Sequence, residues 1–221
     1  MFKQIFELFQ SDSLYEQALM ECHEMLEIDR EMFNESTKTL RESDTADIPI
    51  DIYAMDKKIN EFERDVRRKV MTHLAISGTK DLGSGLILVS VVVDIERIGD
   101  YTKNIYDLAC EHPKRLQGGS YEEKLVSIEN STKNFLNSAI DVFKDQNIDS
   151  ARKLMTDYKT DISQVSSKIV NGIVSGKNND FSSEQAGSLC LYARYLKRIA
   201  AHSRNLVSSI VNPFERIGYP E

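Results

Sequence analysis

The chain has 221 residues, enough for one large domain or two small ones with a sizeable core in either case. Hydrophobic residues make up 41% and charged residues 29%, a balance that excludes a disordered chain. The formal net charge of -7 repels phosphate backbones and argues against nucleic-acid binding. The densest basic cluster, Arg64, Arg67, Arg68 and Lys69, is interleaved with Glu61, Glu63 and Asp65. Mixed signs at that spacing read as a solvated helix face with i,i+4 pairs.

Three cysteines, Cys22, Cys110 and Cys190, stand far apart without CxxC spacing, so reduced, buried thiols in a cytoplasmic protein are expected. Lys3, Gln4 and Glu7 interrupt the apolar N-terminus and speak against a secretory leader. Packing on the bundle, rather than membrane contact, is expected of the apolar patch Met1, Phe2, Ile5, Phe6, Leu8 and Phe9, which carries the single cation Lys3. The longest apolar run, 86–93, is too short to span a bilayer and runs into Asp94, Glu96 and Arg97.

Ten glycines and four prolines are few breakers for this length and favour long helices. The first predicted helix covers 13–42, with Leu19, Cys22, Met25, Leu26, Met32 and Phe33 as its buried stripe. Pro49 separates it from a second over 51–75, carrying Ile52, Met55, Ile59, Phe62, Val66 and Val70. A break at Ser77-Gly78-Thr79 precedes a third, 80–110, entered flexibly through Gly83-Ser84-Gly85. The loop 112–120 then carries the densest turn chemistry in the chain. Three more helices are predicted over 121–146, 148–175 and 182–211, where Asn212-Pro213 stops the last.

Three helices, a loop and three helices suggest a duplication, and one offset supports it. Asp56 and Asp157 stand 101 residues apart, as do Glu96 and Lys197, and Asn104 and Asn205. The expected fold is therefore all-α, two tandem three-helix bundles. Residues 1–112 form the first repeat, 113–120 the linker and 121–221 the second repeat.

Residues 91–105 carry the most chemistry. On a helix, Glu96, Asp100 and Asn104 share one face, while Ile95, Ile98, Thr102 and Ile105 point to the core. Two carboxylates at i and i+4 repel each other. The repulsion is offset either by Arg97 and Lys103 or by a cation held between the acids. Gly99, in mid-helix, implies close approach of a neighbouring helix.

The run Asp94-Ile-Glu-Arg-Ile-Gly-Asp-Tyr-Thr-Lys-Asn-Ile105 resembles the PhoU family signature, Glu-Arg-Ile-Gly-Asp followed by Asn-Ile. Residues 193–206 look like a degraded second copy, so the resemblance extends over nearly the whole chain. It implies a cytoplasmic, non-catalytic regulator of phosphate uptake and phosphate-starvation signalling. The implied partners are a phosphate transporter ATPase, a phosphate sensor kinase or a sodium-phosphate cotransporter, with the membrane reached only through them. It also implies metal binding on a face lined by Glu/Asp-x-x-x-Asp motifs. Carried over, that face holds Glu96 and Asp100, with Asp56 and Asn60 in place of the second acid. Asp157 and Asp161 match in the second repeat, where Lys197 and Ala201 depart from the pattern. Lys197 could neutralise Asp157 or Asp161 internally. Iron, zinc or another divalent metal would suit these ligands, and Arg97 and Asn104 are the expected partner contacts.

Two other classes stand beside this one, an accessory subunit for a different ion and a metal-cluster enzyme. None of the four histidines follows a glutamate by three residues, which removes the Glu-x-x-His pair of di-iron bundles. No nucleophile elbow, phosphate-cradling loop or zinc-protease helix is present. A homodimer is compatible with such bundles, although no heptad seam specifies one.

Overall fold

The structure, a computed structural model, describes residues 13–112, 114–158 (backbone only for 156–158), 162–176 and 181–220. Among them there is no strand. The helices are α1 (Leu14–Glu42), α2 (Ile52–Ser77), α3 (Leu82–Glu111), α4 (Glu122–Asp145), α5 (Ile148–Tyr158), α6 (Gln164–Val174) and α7 (Ser183–Val211). The predicted apolar N-terminal patch lies outside the described residues.

Side chains set the helix starts. Ser13 and Glu16 cap α1 reciprocally, with Glu16 N–H donating to Ser13 Oγ at 3.2 Å. Ser182 and Gln185 repeat the device on α7, and Asp51 caps α2 by accepting from Ala54 N–H at 3.0 Å. Each such cap contributes about 1 kcal/mol. Gly78, at a φ of +71°, ends α2 in the left-handed region and leads into a 3-10 turn over Gly78–Asp81. That turn moves the start of α3 two residues beyond the predicted one. Ser84 is therefore in the first turn of α3, not in a flexible lead-in, and its hydroxyl donates to Asp81 O at 3.0 Å. The predicted helix over 148–175 is described as α5 and α6, with 159–161 outside the described residues.

Helices α1, α2 and α3 pack on one another, and α4, α5 and α6 pack against α7. Contacts of α3 with α7 and of α1 with α4 join the two sets. One contiguous core runs through both, from Met25, Phe33, Ile59 and Ile95 to Leu125, Phe135, Leu196 and Leu206. Each such large apolar side chain contributes roughly 1.5–3 kcal/mol on burial. The expected core residues Ile95, Ile98, Thr102 and Ile105 are all fully buried.

Two polar joints set the register between the sets. Buried Asp94 of α3 accepts from His202 Nδ1 at 2.7 Å and from Asn205 Nδ2 at 2.8 Å, both on α7. The Tyr101 ring stacks on His202 with centroids 5.8 Å apart, and Arg198 Nε donates to the Tyr101 hydroxyl at 3.2 Å. At the other joint, Arg41 of α1 donates to Glu129 Oε1 at 2.5 Å and also pairs with Glu122 and the Leu116 carbonyl.

The thiols depart from expectation. Cys22 is buried on the α1 stripe and Cys190 is half-buried, but Cys110 is exposed because the last turn of α3 turns that position away from the core. The mixed-charge face of α2 is as predicted, with Arg67 on Glu63 at 2.8 Å, Arg68 on Asp65 at 2.5 Å and Lys69 on Glu21.

Candidate functional site

Because α1, α2 and α3 pack mutually, acids from all three helices meet on one side of that set. Helix α3 brings Glu96, Arg97, Asp100, Lys103 and Asn104, spaced by three and four so that they share adjacent faces. Helix α2 brings Asp56, Asn60 and Glu63. Helix α1 brings Asp29, which is fully buried.

Internal cations answer most of this charge. Arg97 Nη1 donates to Asp100 Oδ2 at 2.7 Å, and its Nε lies 3.4 Å from Glu96 Oε2. Lys103 Nζ bridges two helices, 3.4 Å from Asp56 Oδ2 and 3.8 Å from Asp100 Oδ1. Asn60 turns inward to its own helix, donating to the Asp56 carbonyl at 2.9 Å and more weakly to Asp56 Oδ2 at 3.4 Å. Asn104 sits one turn beyond Asp100 and is half-buried.

Two carboxyl groups stay poorly answered. Neither oxygen of Asp29 has a hydrogen-bond partner, and Glu96 Oε2 lacks one as well. Burial, followed by the nearby charges of Glu96, Asp56 and Asp100, holds the Asp29 carboxyl well above the usual carboxylate range. Glu96 is raised too, first by burial and then by Asp100, with Arg97 opposing. Gly99 explains how Asp29 fits. A Cβ there would lie 2.9 Å from Asp29 Oδ1 and 2.9 Å from Ile59 Cδ1. The close approach expected at Gly99 is thus made by α1 and α2 together.

Asp29 was not among the predicted site residues, yet the sequence carries a signal for it. It falls on the buried period of α1, between Met25-Leu26 and Met32-Phe33, where an unbroken stripe would carry an apolar side chain. The Asp94–His202 joint gave no comparable signal.

The donor set is carboxylate and amide oxygen, which suits a hard divalent cation. Asp29 and Glu96 hold the oxygens of this set that lack a hydrogen-bond partner. Among the described residues, however, no three His, Cys, Asp or Glu side chains converge as a finished ligand set. Lys103 stands between Asp56 and Asp100, the two acids a bridging ion would use.

In the second repeat, Lys197 Nζ donates to Ser167 Oγ at 3.1 Å. Burial, then Arg194 and Arg198, lower its proton affinity. Asp161 and the side chain of Asp157 lie outside the described residues. A broad cavity of about 860 Å3 lies between the linker and the start of α7, lined by Asp44, His112, Lys114 and Arg115. Arg115 is committed there to both oxygens of Asp44, at 2.9 and 3.0 Å.

Residues 22–109 match the family described as the PhoU domain. That part of the chain is similar to a PhoU domain. That span contains Asp29, Asp56, Asn60, Glu96, Asp100 and Lys103, so the acidic face belongs to it entirely. A curated relative, the phosphate-specific transport system accessory protein PhoU homolog of Clostridium acetobutylicum, is 22% identical, across 93% of this chain and 88% of its own length. The fold is similar to the crystal structure of PhoU from Pseudomonas aeruginosa, with a TM-score of 0.80 at 19% identity over 91% of this chain and 97% of that one. It is also similar to the phosphate transport system regulatory protein PhoU from Streptococcus pneumoniae, with a TM-score of 0.68 at 17% identity over 89% and 91% of the two chains.

Proposed function

We propose that this chain is a regulator of phosphate transport and phosphate-starvation signalling, acting as a non-catalytic cytoplasmic adaptor. Its partners would be a phosphate transporter ATPase, a phosphate sensor kinase or a sodium-phosphate cotransporter. The observation that carries this reading is the similarity to a PhoU domain over 22–109, which contains the whole acidic face. The long PhoU-like alignment with a phosphate-transport accessory protein supports it. Among the described residues no helix is long and apolar enough to cross a membrane, so in this reading the chain reaches the bilayer through its partners.

In this proposal the chain is two three-helix units, 1–112 and 121–221, joined by 113–120, and it works by surface recognition. Arg97, half-exposed over Glu96 and Asp100, and Asn104 beside them form the partner contact. Charges at such a rim govern association rate and salt sensitivity more than raw affinity. A divalent metal, with iron and zinc as candidates, enters as a structural or regulatory ligand of Glu96, Asp100, Asp56 and Asn60. Asp157 and Asp161 are the corresponding second-repeat positions. A homodimer would present two such faces.

The test is a pull-down of the tagged protein from detergent-solubilised source cells, grown with and without phosphate. Recovery of a phosphate transporter component, cotransporter or sensor kinase is expected. Recovery of a transporter for another ion would move the substrate, and no membrane partner in either condition would overturn the adaptor reading.

A further inference from the structure

Helix α7 is charged unlike the rest of the molecule. The chain carries 35 acids against 28 bases, yet residues 185–212 contain no acid, only Arg194, Lys197, Arg198 and Arg204. In the neighbouring segment 162–176 the single charged residue is Lys168. Among the described residues no carboxylate pairs with Arg194, Lys197 or Arg198. After burial, the charges that lower the proton affinity of Lys197 are those of Arg194 and Arg198. The α3 acids beside them are engaged elsewhere. Asp94 is buried with His202 and Asn205, and Asp107, whose charge reaches Tyr195, accepts from the Tyr53 hydroxyl at 2.7 Å.

An ordered aromatic and apolar surface surrounds these cations. Leu191, Arg194, Tyr195 and Arg198 recur at i, i+3, i+4 and i+7 and so share one face of α7. Lys197 is turned off this stripe, onto Ser167 of α6. Leu191 is 47% exposed, and Arg194 and Arg198 are exposed as well. The Tyr195 ring lies 6.0 Å from that of Tyr101 on α3, and the Arg198 guanidinium stands 5.6 Å over the Tyr101 ring. Arg198 also donates to the Tyr101 hydroxyl and to His202 Nε2, each at 3.2 Å, which leaves its Nη1 to a ligand. A cation already fixed in this way loses little side-chain freedom on binding, and Tyr and Arg are the side chains that most often anchor interfaces.

We infer that this face of α7, from Leu191 to Arg198 and completed by Tyr101, docks an acidic segment of a partner protein. Carboxylates of the segment meet Arg194 and Arg198, and an apolar side chain rests on Leu191 and Tyr195. Charge complementarity selects the occupant. The whole chain is at -7 and Asp100 adjoins Tyr101 on α3, so a flat anionic bilayer would be pressed against acids as well as against the stripe. A single narrow segment covers the stripe alone, in the spacing by which one helix face engages a partner. This contact is independent of the one proposed for Arg97 and Asn104.

The experiment is fluorescence anisotropy of the full chain with a labelled amphipathic peptide of Glu, Leu and Ala. The same peptide with Gln for Glu is the neutral comparison, and co-sedimentation with phosphatidylserine-containing vesicles tests the bilayer. Wild type is expected to bind the Glu peptide at least about tenfold more tightly than the Gln peptide, ~1.4 kcal/mol. Binding should fade as salt rises toward 1 M, where the screening length is ~3 Å. Arg194→Glu, at an exposed side chain with no partner to lose, should weaken the Glu peptide at least about tenfold at unchanged melting temperature. Arg64→Glu makes the same charge change on α2 and should leave the affinity unaltered. Equal losses in the two variants would reduce the effect to net charge and overturn the docking face. No binding of the Glu peptide, equal binding of the Gln peptide, or capture by vesicles in place of the peptide would overturn it too.

Discussion

The two repeats place different chemistry at matching positions, 101 residues apart. In the first, α3 presents Glu96 and Asp100, and the cations Arg97 and Lys103 come to them from one turn away. In the second, α7 presents Lys197 and Ala201 at those positions, and the lysine leans on Ser167 with Arg194 and Arg198 nearby. Gly99 admits a buried carboxyl group from α1, whereas Ala200, 101 positions on, fills its place in the core with a methyl group. The scaffold thus tolerates either charge on the exposed turn of its central helices. What distinguishes the first repeat is the space beneath that turn.

The largest effect should fall where the halves meet. Arg41→Ala would leave Glu129 nearly buried without its cation and should cost about 3–5 kcal/mol in urea unfolding. A loss below 1 kcal/mol would mean that the Arg41 joint adds little to what the apolar core and the Asp94 joint already supply. Next, Glu96→Lys with Asp100→Lys should reduce recovery of the membrane partner at least about tenfold, ~1.4 kcal/mol. Lys197→Glu with Ala201→Asp should leave recovery nearly unchanged, and equal losses would erase the functional contrast between the repeats.

Gly99→Ala should then destabilise by about 1–3 kcal/mol, because the new methyl must push Asp29 or Ile59. At this chain length each kcal/mol lowers Tm by roughly 2–4 °C, readable by circular dichroism, and an unchanged Tm would show that the space under α3 is slack. The smallest effect concerns His23 of α1, whose ring meets Phe143 of α4 edge-on at 5.8 Å. Burial, then Lys144, lowers its proton affinity below the ordinary 6.5. The unfolded chain therefore binds the proton more tightly, and stability fully present above pH 6.5 is lost as pH falls below it through the lower value of the folded state. His23→Gln should flatten this part of the stability profile, and an unaltered slope would assign it to other groups.

Much of the helical scaffold is legible because its determinants are local. Ser13 with Glu16, Ser182 with Gln185, Asp51, and the prolines after α1 and α7 all act within a few residues. The 3-10 turn after Gly78 was harder to read, since Thr79 to Asp81 are as acceptable in an α-helix as before one. Arg97 and Lys103 were legible as neighbours of Glu96 and Asp100 for the same reason of short range. The reach of Lys103 to Asp56, 47 positions away, depends on how α2 and α3 pack and has no local signature. Asp29 was legible only as a gap in the α1 stripe, and its meeting with Gly99 depends on two helix crossings.

The Asp94 joint also bears on how the chain is made. Its two α7 partners lie 108 and 111 residues further on. At about 5–20 residues per second, translation keeps α3 waiting roughly 5–20 s for them. Throughout that interval the face of α3 that will meet α7 has a buried-type carboxyl group and apolar neighbours without their final cover. The nascent first repeat is therefore at its most adhesive while the ribosome still holds α7, and closure of this joint marks the moment the molecule becomes safe to release.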